Sequence, residues 1–470
     1  MIEIPNFQGK KVAVFGLGKT GISVCESLVA SGAEVFCWDE SLTARERTAN
    51  TKYASEHPKE WPWQELAALV LSPGVPLTHP KPHVIVRKAR QENVDVIGDI
   101  ELFSRAVAAK PVDRRPRVIA VTGSNGKSTT TALIKFILKE SGKDVCMGGN
   151  IGVPLLDLPA ISHENVYVLE LSSYQLDLTT SFHADVAVLL NISPDHIERH
   201  GSMAGYIAAK KRIFCNQEKG NMAIIGVDDV STQSICAELN STGKADVTAI
   251  SASGALGQGV FGLDGRLFYS FGEKNGEAGA IDKVASLRGS HNLQNAAAAL
   301  AVAVCEGIDP SVACSAMQRF EGLPHRMEVV AVRNGVTFIN DSKATNAEAA
   351  EKALQSFDNI YWVAGGRPKE GGIKSIVKQL ENVRGAYFFG EAAPIFESQV
   401  ESSFPSIRCA DLETAVSRAA KDANQSGLKN TVVLLSPAAA SFDQFSNFET
   451  RGDAFRSAVQ VIVQEDGAAA

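Results

Sequence analysis

Short apolar runs recur along the chain, and amphipathic stretches of helical period separate them. Val12–Gly16, Val35–Trp38 and Leu69–Leu71 read as strands of a first unit. Val118–Thr122, Val145–Met147, Val166–Glu170 and Val186–Asn191 read as strands of a second. Val336–Asn340, Ile360–Ala364, Ala386–Gly390 and Val432–Ser436 read as strands of a third. Strands that alternate with helices in this way predict α/β units with parallel sheets and right-handed crossovers. The stretch Ser251–Lys283 is glycine-rich and alternating, which predicts a small β-hairpin region inside the second unit. Two polar, proline-bearing segments, Lys110–Arg117 and Gly322–Arg326, read as linkers. They divide the chain into 1–112, 113–322 and 323–470.

Length agrees with that division, since 470 residues suit about three domains of ordinary size. With 45 % hydrophobic and 21 % charged residues, the composition is that of a soluble globular protein. The formal charge of −7 argues against a large basic face for nucleic acid, although a local anion pocket remains open. None of the eight cysteines forms a CxxC pair, so reduced thiols in a cytoplasmic protein are expected. The first residues lack a signal-peptide pattern, and no apolar run is long enough for a membrane span.

Chemistry enters with two glycine loops. The first, Gly16-Leu-Gly18-Lys19-Thr20-Gly21, follows a strand and opens a helix, and Asp39 ends the next strand. This is the GxGxxG arrangement, in which glycines let backbone N–H groups approach a diphosphate. Alone it does not name the base, and a tight turn without ligand is the blander reading. Ser72-Pro73-Gly74 ends the following strand and falls on the same rim, with a plain turn an equal reading. The second loop is Gly123-Ser124-Asn125-Gly126-Lys127-Ser128-Thr129, between strand and helix. Gly-Lys-Ser is the heart of a P-loop, whose lysine reaches the β/γ-phosphates and whose hydroxyl can hold Mg²⁺. Val121 stands where the full pattern has glycine, so this loop is a shortened variant. ATP is expected, because no guanine-reading motif is present.

Further polar groups sit at strand ends. Glu170 closes Val166–Leu169 and is either a Mg²⁺ carboxylate or an exposed strand-end acid. His196, in Asn191–His196, is by default structural rather than a ligand. Ala208–Arg212 carries Lys210 in a basic helical cluster, for which a solvated face is the default. Asn292 and Asn295 are neighbours on one helix face, able to grip an adenine edge or cap the helix. The cluster Asn340–Asn346 has the character of a ligand rim.

Taken together, these motifs resemble the Mur ligases, ATP-dependent amide ligases of bacterial cell-wall precursor synthesis. The resemblance spans nearly the whole chain and rests on Gly16–Gly21, Leu71–Gly74, Gly98–Leu102, Thr122–Thr129, Gly148–Gly152, Leu169–Gln175, Asp195-His196, Ala209-Lys210, His291–Asn295, Leu323–Arg326, Asn340–Asn346 and Leu435–Phe448. The last of these points to the D-glutamate-adding branch. The resemblance implies a Rossmann-like N-terminal domain, a central P-loop ATPase-like domain with a mostly parallel sheet, and a Rossmann-like C-terminal domain. It implies addition of D-glutamate to UDP-N-acetylmuramoyl-L-alanine through an acyl phosphate, with ATP and two Mg²⁺ ions, in a cytoplasmic monomer.

By the same resemblance, Gly18, Lys19, Thr20, Asp39, Ser72, Pro73, Gly74 and Asn150 meet the UDP-linked substrate. Lys127, Glu170, His196 and Lys210 are catalytic, and Gly123–Thr129, Asn292, Asn295, Arg326 and Asp341 contact ATP. Ser128, Glu170, His196 and a carbamate on Lys210 hold the metal. Lys343, Thr345, Lys369, Ser441, Phe442 and Phe448 surround D-glutamate. Two departures stand out: Arg367-Pro368 precedes Lys369 in place of a smaller, acidic-then-glycine pair, and Phe442 replaces an aliphatic residue. Three other functions compete with this one. A dehydrogenase would account for GxGxxG alone, while a sibling amide ligase or a non-enzymatic ATP-binding regulator would also use the P-loop.

Overall fold

A computed structural model describes residues 1–369, 371–401 and 403–465. They form two compact units: Met1–Lys283 with Ser290–Arg319, and Val284–Gly289 with the chain from Phe320 onward.

The first unit holds two sheets. Strands β1 (Lys11–Phe15), β2 (Glu34–Trp38), β3 (Leu66–Leu71) and β4 (Val96–Ile97) make a parallel sheet of order β2-β1-β3-β4. Helices α1 (Lys19–Ala30), α2 (Leu42–Glu46), α3 (Val84–Gln91) and α4 (Asp99–Ala108) connect and extend it. The second sheet has nine strands. They are β5 (Arg117–Thr122), β6 (Asp144–Gly149), β7 (Asn165–Glu170), β8 (Val186–Leu189), β9 (Met222–Gly226), β10 (Asp246–Ser251), β11 (Gly259–Leu263), β12 (Arg266–Phe271) and β13 (Lys274–Ala280). Their order is β13-β12-β11-β10-β9-β8-β5-β7-β6. Pairing is parallel from β6 to β11 and antiparallel through β12 and β13, where the hairpin region was expected.

Helices of this unit are α5 (Lys127–Glu140), α6 (Ser173–Asp177), α7 (Ile197–His200), α8 (Met203–Lys211), α9 (Val230–Thr242), α10 (Ser290–Cys305) and α11 (Pro310–Met317). Local chemistry explains several of their starts. Ser172 and Gln175 form a reciprocal capping box at α6. Asp229 accepts the Thr232 N–H at α9. Helix α10 is alanine-rich and buried nearly all round from Asn292 to Ala303, so it lies inside the unit.

The second unit carries one sheet of order β14-β15-β19-β16-β17-β18. Its strands are β14 (Glu328–Arg333), β15 (Val336–Asn340), β16 (Asn359–Gly365), β17 (Val383–Phe389), β18 (Ser406–Arg408) and β19 (Thr431–Leu435). All pairs are parallel except β14 with β15. Helices α12 (Ala347–Leu354), α13 (Ala393–Val400), α14 (Leu412–Gln425) and α15 (Phe448–Glu465) flank it.

Every expected strand occurs, shifted by a few residues at its ends. Strands β4, β9, β10, β14 and β18 were not anticipated. Two of them are only two and three residues long, too short to leave a periodic signal. Between α4 and β5 the chain makes a single exposed turn at Val112–Arg114. Even so, one hydrophobic core runs through the first two sheets, joining Ile2, Phe7 and Leu28 to Leu155, Tyr167 and Phe182. No helix among the described residues is long and apolar enough to cross a membrane.

Glu101 on α4 shows how the first two sheets are fastened. Its side chain is fully buried. It accepts the backbone N–H groups of Thr180 (2.8 Å) and Ser181 (2.9 Å), their hydroxyls (both 2.8 Å), and Arg105 Nε at 2.9 Å. Burial alone would raise its pKa, but these donors outweigh burial and hold it below the ordinary carboxylate value. Glu101→Ala strands these donors and should lower stability by about 3 kcal/mol in urea unfolding. Because the folded pKa is depressed, this stabilisation is full above the unfolded carboxylate pKa. It is lost as pH falls through the folded value, and the acid limb of the stability profile should flatten in the variant.

Candidate active site

Strand β5 runs straight into the loop Gly123–Gly126, and α5 begins at Lys127. Gly123 (φ +157°) and Gly126 (φ +84°) take conformations open to glycine. A Cβ on Gly126 would stand 2.1 Å from Asn295 Oδ1, so α10 presses directly on the loop. Asn295 in turn donates to Asn292 Oδ1 at 2.9 Å, with both residues buried.

Groups that sequence reasoning passed over hold the loop in shape. Asn191, just after β8, accepts the Ser124 N–H on its carbonyl (2.9 Å) and the Asn125 N–H on its side-chain oxygen (2.9 Å). Its amide nitrogen donates to Gln294 Oε1 at 2.9 Å, and Gln294 donates to Asp228 at 2.7 Å. Ser124 Oγ lies 3.0 Å from both the N–H and the carbonyl of Ser193, and 2.9 Å from Tyr206 Oη. A hydroxyl has one proton. Ser124 therefore donates to the Ser193 carbonyl and accepts from Ser193 N–H and Tyr206. Asn191, Ser193, Tyr206 and Asp228 sit in no recognisable motif; a polar residue at a strand's C-terminal end was the only hint for Asn191.

Two lysine amines converge on one oxygen. Lys127 Nζ donates to Gly123 O at 2.8 Å and Ser124 O at 2.9 Å, and Lys210 Nζ donates to the same Gly123 O at 2.8 Å. Lys210 is 1 % exposed, which overturns the solvated-face reading of its cluster. Burial first, and the neighbouring Lys127 charge second, push its pKa down to about 6, against the opposing pull of Asp195 and Glu170. Its amine lies 4.7 Å from the centre of the Tyr206 ring.

Glu170, at the end of β7, is buried, and its Oε2 has no hydrogen-bond partner. Its Oε1 accepts from Asn150 Nδ2 at 2.7 Å, and its carbonyl accepts the Asn150 N–H at 2.9 Å. Asn150 and Glu170 thus form one constellation beside the P-loop strand, since β7 pairs with β5. His196 stands apart as the half-exposed residue that opens α7, with φ +52°. Its Nε2 lies 3.3 Å from Asp195 Oδ2, and its ring is 4.9 Å from that of Tyr174. The buried His200 bridges Ser173 Oγ (3.0 Å) and Asp177 Oδ2 (3.1 Å).

The first glycine loop is built on close approach. A Cβ on Gly21 would fall 1.8 Å from Gly16 O. Asp39 Oδ2 accepts the Leu17 N–H at 2.6 Å and Oδ1 the Ser41 N–H at 2.8 Å, so this carboxylate shapes the loop. Ser72 Oγ donates to Gly16 O at 3.0 Å, which joins the Ser72–Gly74 turn to the glycine loop. Gly18 at the start of α1 faces open space, and Lys19 is exposed next to it, with Thr20 half-buried.

In the second unit, Asp341 follows β15 in a buried position. It accepts the Ser436 hydroxyl at 3.1 Å and the Met327 N–H at 3.3 Å. Burial pushes its pKa up to about 7, opposed chiefly by the Arg326 charge. Lys343 Nζ lies 4.0 Å from the centre of the Phe448 ring, which brings those two residues together. Thr345 is half-buried on the turn before α12, Lys369 and Phe442 are exposed, and Ser441 is buried. Arg451, which sequence reasoning missed, is fully buried on α15. It donates to Ser342 Oγ and O, Gly365 O and Ala439 O at 2.9–3.2 Å. It ties together the ends of β15, β16 and β19, and burial lowers its pKa to about 10.

Family profiles match along the chain: a Mur ligase MurD-like N-terminal domain over residues 10–98, a Mur ligase middle domain over 121–303, and a Mur ligase glutamate ligase domain over 325–439. The chain belongs to the Mur ligase family of ATP-dependent amide ligases. It is 50 % identical over 470 residues, all of both chains, to the UDP-N-acetylmuramoylalanine--D-glutamate ligase of Phenylobacterium zucineum. It is 52 % identical over 459 residues, 98 % of each chain, to the protein of that name from a Caulobacter species. Among solved structures, the UDP-N-acetylmuramate-alanine ligase of Thermotoga maritima shares the fold with a TM-score of 0.57 and 17 % identity, covering 96 % of this chain and 99 % of its own.

Asn191→Ala removes the acceptor for the Asn125 N–H and the link to Gln294. It should raise the dissociation constant for ATP about tenfold, read by calorimetric titration, with little loss of thermal stability, because the lost groups shape a loop and not the core.

Proposed function

We propose that this protein joins D-glutamate to UDP-N-acetylmuramoyl-L-alanine with hydrolysis of ATP to ADP and phosphate, as a monomer in the cytoplasm. The observation that carries the reading is the grouping of the P-loop, the unpartnered Glu170 carboxylate oxygen and the buried Lys210 amine. End-to-end identity of 50 % with a ligase named for D-glutamate addition supports the substrates. Labour divides along the chain: 1–112 for the UDP-linked substrate, 113–322 for ATP and Mg²⁺, and 323–470 for the amino acid.

The residues present fit Mg²⁺. A buried carboxylate oxygen without a partner, on the strand paired with the P-loop strand, offers the hard oxygen donor this ion prefers. Among the described residues, no group of three or more His, Cys, Asp or Glu could hold a metal alone. That suits an ion completed by substrate phosphates and water. Glu170, Ser128, His196 and a carbamate on Lys210 would hold two such ions. Bound there, Mg²⁺ supplies charge neutralisation at the triphosphate.

The substrate carboxylate and the triphosphate are both anions, so their repulsion is the main barrier to be lowered. Loop N–H groups at the start of α5 and the Lys127 ammonium meet the phosphates and offset that repulsion. A carboxylate oxygen attacks the γ-phosphorus, and ADP leaves. The D-glutamate amine then attacks the acyl carbon, and phosphate leaves. Asn292 and Asn295 hold the adenine side of ATP, and Arg326 and Asp341 also contact it. Gly18, Lys19, Thr20, Asp39, Ser72, Pro73 and Gly74 receive the UDP moiety, and Asn150 the muramoyl end. Lys343, Thr345, Lys369, Ser441, Phe442 and Phe448 receive D-glutamate.

Lys210 has a physical reason to be carbamylated. With its pKa near 6 it is a neutral amine at pH 7, the form that adds to CO₂ with release of a proton. The carbamate replaces one of two crowded amines by an anion beside Lys127. In ¹³C-bicarbonate, the wild type should show a carbamate resonance that Lys210→Arg lacks; an unchanged spectrum in the variant would remove the assignment.

Phosphate release from ATP should require UDP-N-acetylmuramoyl-L-alanine and be greatest with D-glutamate among a panel of D- and L-amino acids. Better release with another amino acid would sink the substrate assignment. Lys127→Ala should abolish turnover while its thermal melt stays near that of the wild type.

A further inference from the structure

The short helix α7 begins beside His196, and its third residue, Arg199, reaches away from the second sheet into the first. Arg199 Nη2 donates to Pro73 O at 3.1 Å and to Val75 O, and Nη1 donates to His79 O at 3.4 Å. These three carbonyls belong to the irregular loop that follows β3 and contains the Ser72–Gly74 turn. The guanidinium also lies 5.2 Å from the centre of the Tyr174 ring, a cation–π contact. Gly201 ends α7 at φ +76°, and a Cβ there would sit 2.4 Å from His79 Nε2, so the loop touches the helix end as well.

The loop is fastened at its other end to the glycine turn. Ser72 N–H donates to Phe15 O at 2.9 Å, and Ser72 Oγ donates to Gly16 O at 3.0 Å. Tyr174 completes the path: its ring lies near both His196 and Arg199, and it follows Glu170 by four residues. A continuous set of contacts therefore runs from Gly16 through the 72–79 loop to Arg199, Tyr174 and His196. A planar guanidinium can hold several carbonyls at fixed angles, which a lysine ammonium cannot do.

We propose that Arg199 is a positioning residue for the UDP-linked substrate. It fixes the Ser72–Val75 turn, and with it the diphosphate-binding rim of the first sheet, relative to the strand-end groups of the second. This rests on the function proposed above and adds to it a residue whose hydrogen bonds go to the 73–79 loop. A side chain that only stabilised the fold would affect both substrates alike. Arg199 instead acts on the loop that meets one of them.

The test uses the full chain with Arg199→Lys and Arg199→Ala. Apparent KM is measured separately for UDP-N-acetylmuramoyl-L-alanine and for ATP, beside thermal melts. Arg199→Ala should raise KM for the UDP-linked substrate about tenfold, the size expected for losing hydrogen bonds from a charged donor. KM for ATP should stay within about twofold, and Arg199→Lys should fall between wild type and alanine variant. Added guanidinium ion at millimolar level should partly restore the alanine variant and leave the wild type unchanged. If Arg199→Ala does not fold, the lysine variant carries the same KM comparison. Equal rises in both KM values, or an unchanged KM for the UDP-linked substrate in a folded variant, would overturn the proposal while leaving the ligase reading intact. A wild type inactive with UDP-N-acetylmuramoyl-L-alanine and D-glutamate would remove both.

Discussion

Two amines on one carbonyl oxygen is the constraint around which the second sheet's chemistry is arranged. Lys127 and Lys210 both donate to Gly123 O, and the second of them has almost no access to water. Two ammonium ions cannot share such a place at low cost. One must give up its proton or gain an anionic partner. In the proposed function a triphosphate at the P-loop answers the first amine. Burial pushes the pKa of the second down, the direction the proposed carbamate needs. Glu170 presents the complementary problem, a buried carboxylate oxygen without a donor. Cationic and anionic deficits thus lie near each other at the ends of adjacent strands, and Mg²⁺ and ATP would relieve both.

Holding that tension requires a stiff loop. Stiffness comes from Asn191, Ser193, Tyr206 and Gln294, and from α10 pressing on Gly126. Preorganisation of this kind means that little reordering is left for the reaction. Glu101 and Arg199 serve the same end at longer range within the first unit. One ties α4 to the segment after α6, and the other ties the turn after β3 to α7. The second unit repeats the device with Arg451, a buried cation whose donors go to backbone carbonyls and one serine hydroxyl at the ends of three strands.

Much of this was legible in the chain. Glycine loops are visible because backbone geometry admits few residues at those positions, and the structure shows the clashes any Cβ would cause at Gly21 and Gly126. Strand positions were visible because sheets covered by helices demand apolar runs. Less visible were the edge strands β4 and β18, whose pairing is decided by neighbours outside their own segments. Lys210 illustrates the limit well. Its local sequence is an ordinary basic patch on a helix, and only its resemblance to a family position hinted otherwise.

The sequence by itself determined the alternation of strands and helices, both glycine loops and the family, since each depends on residues near one another in the chain. Tertiary structure decided protonation and purpose. The Lys210 pKa falls because tertiary contacts bury the amine beside Lys127. Asp39 takes up one N–H of the glycine loop and one of the segment after β2. Arg199 became a clamp because α7 meets a loop more than a hundred residues earlier. Desolvation and hydrogen-bond partners are properties of neighbours in space, and the order of residues along the chain does not record them.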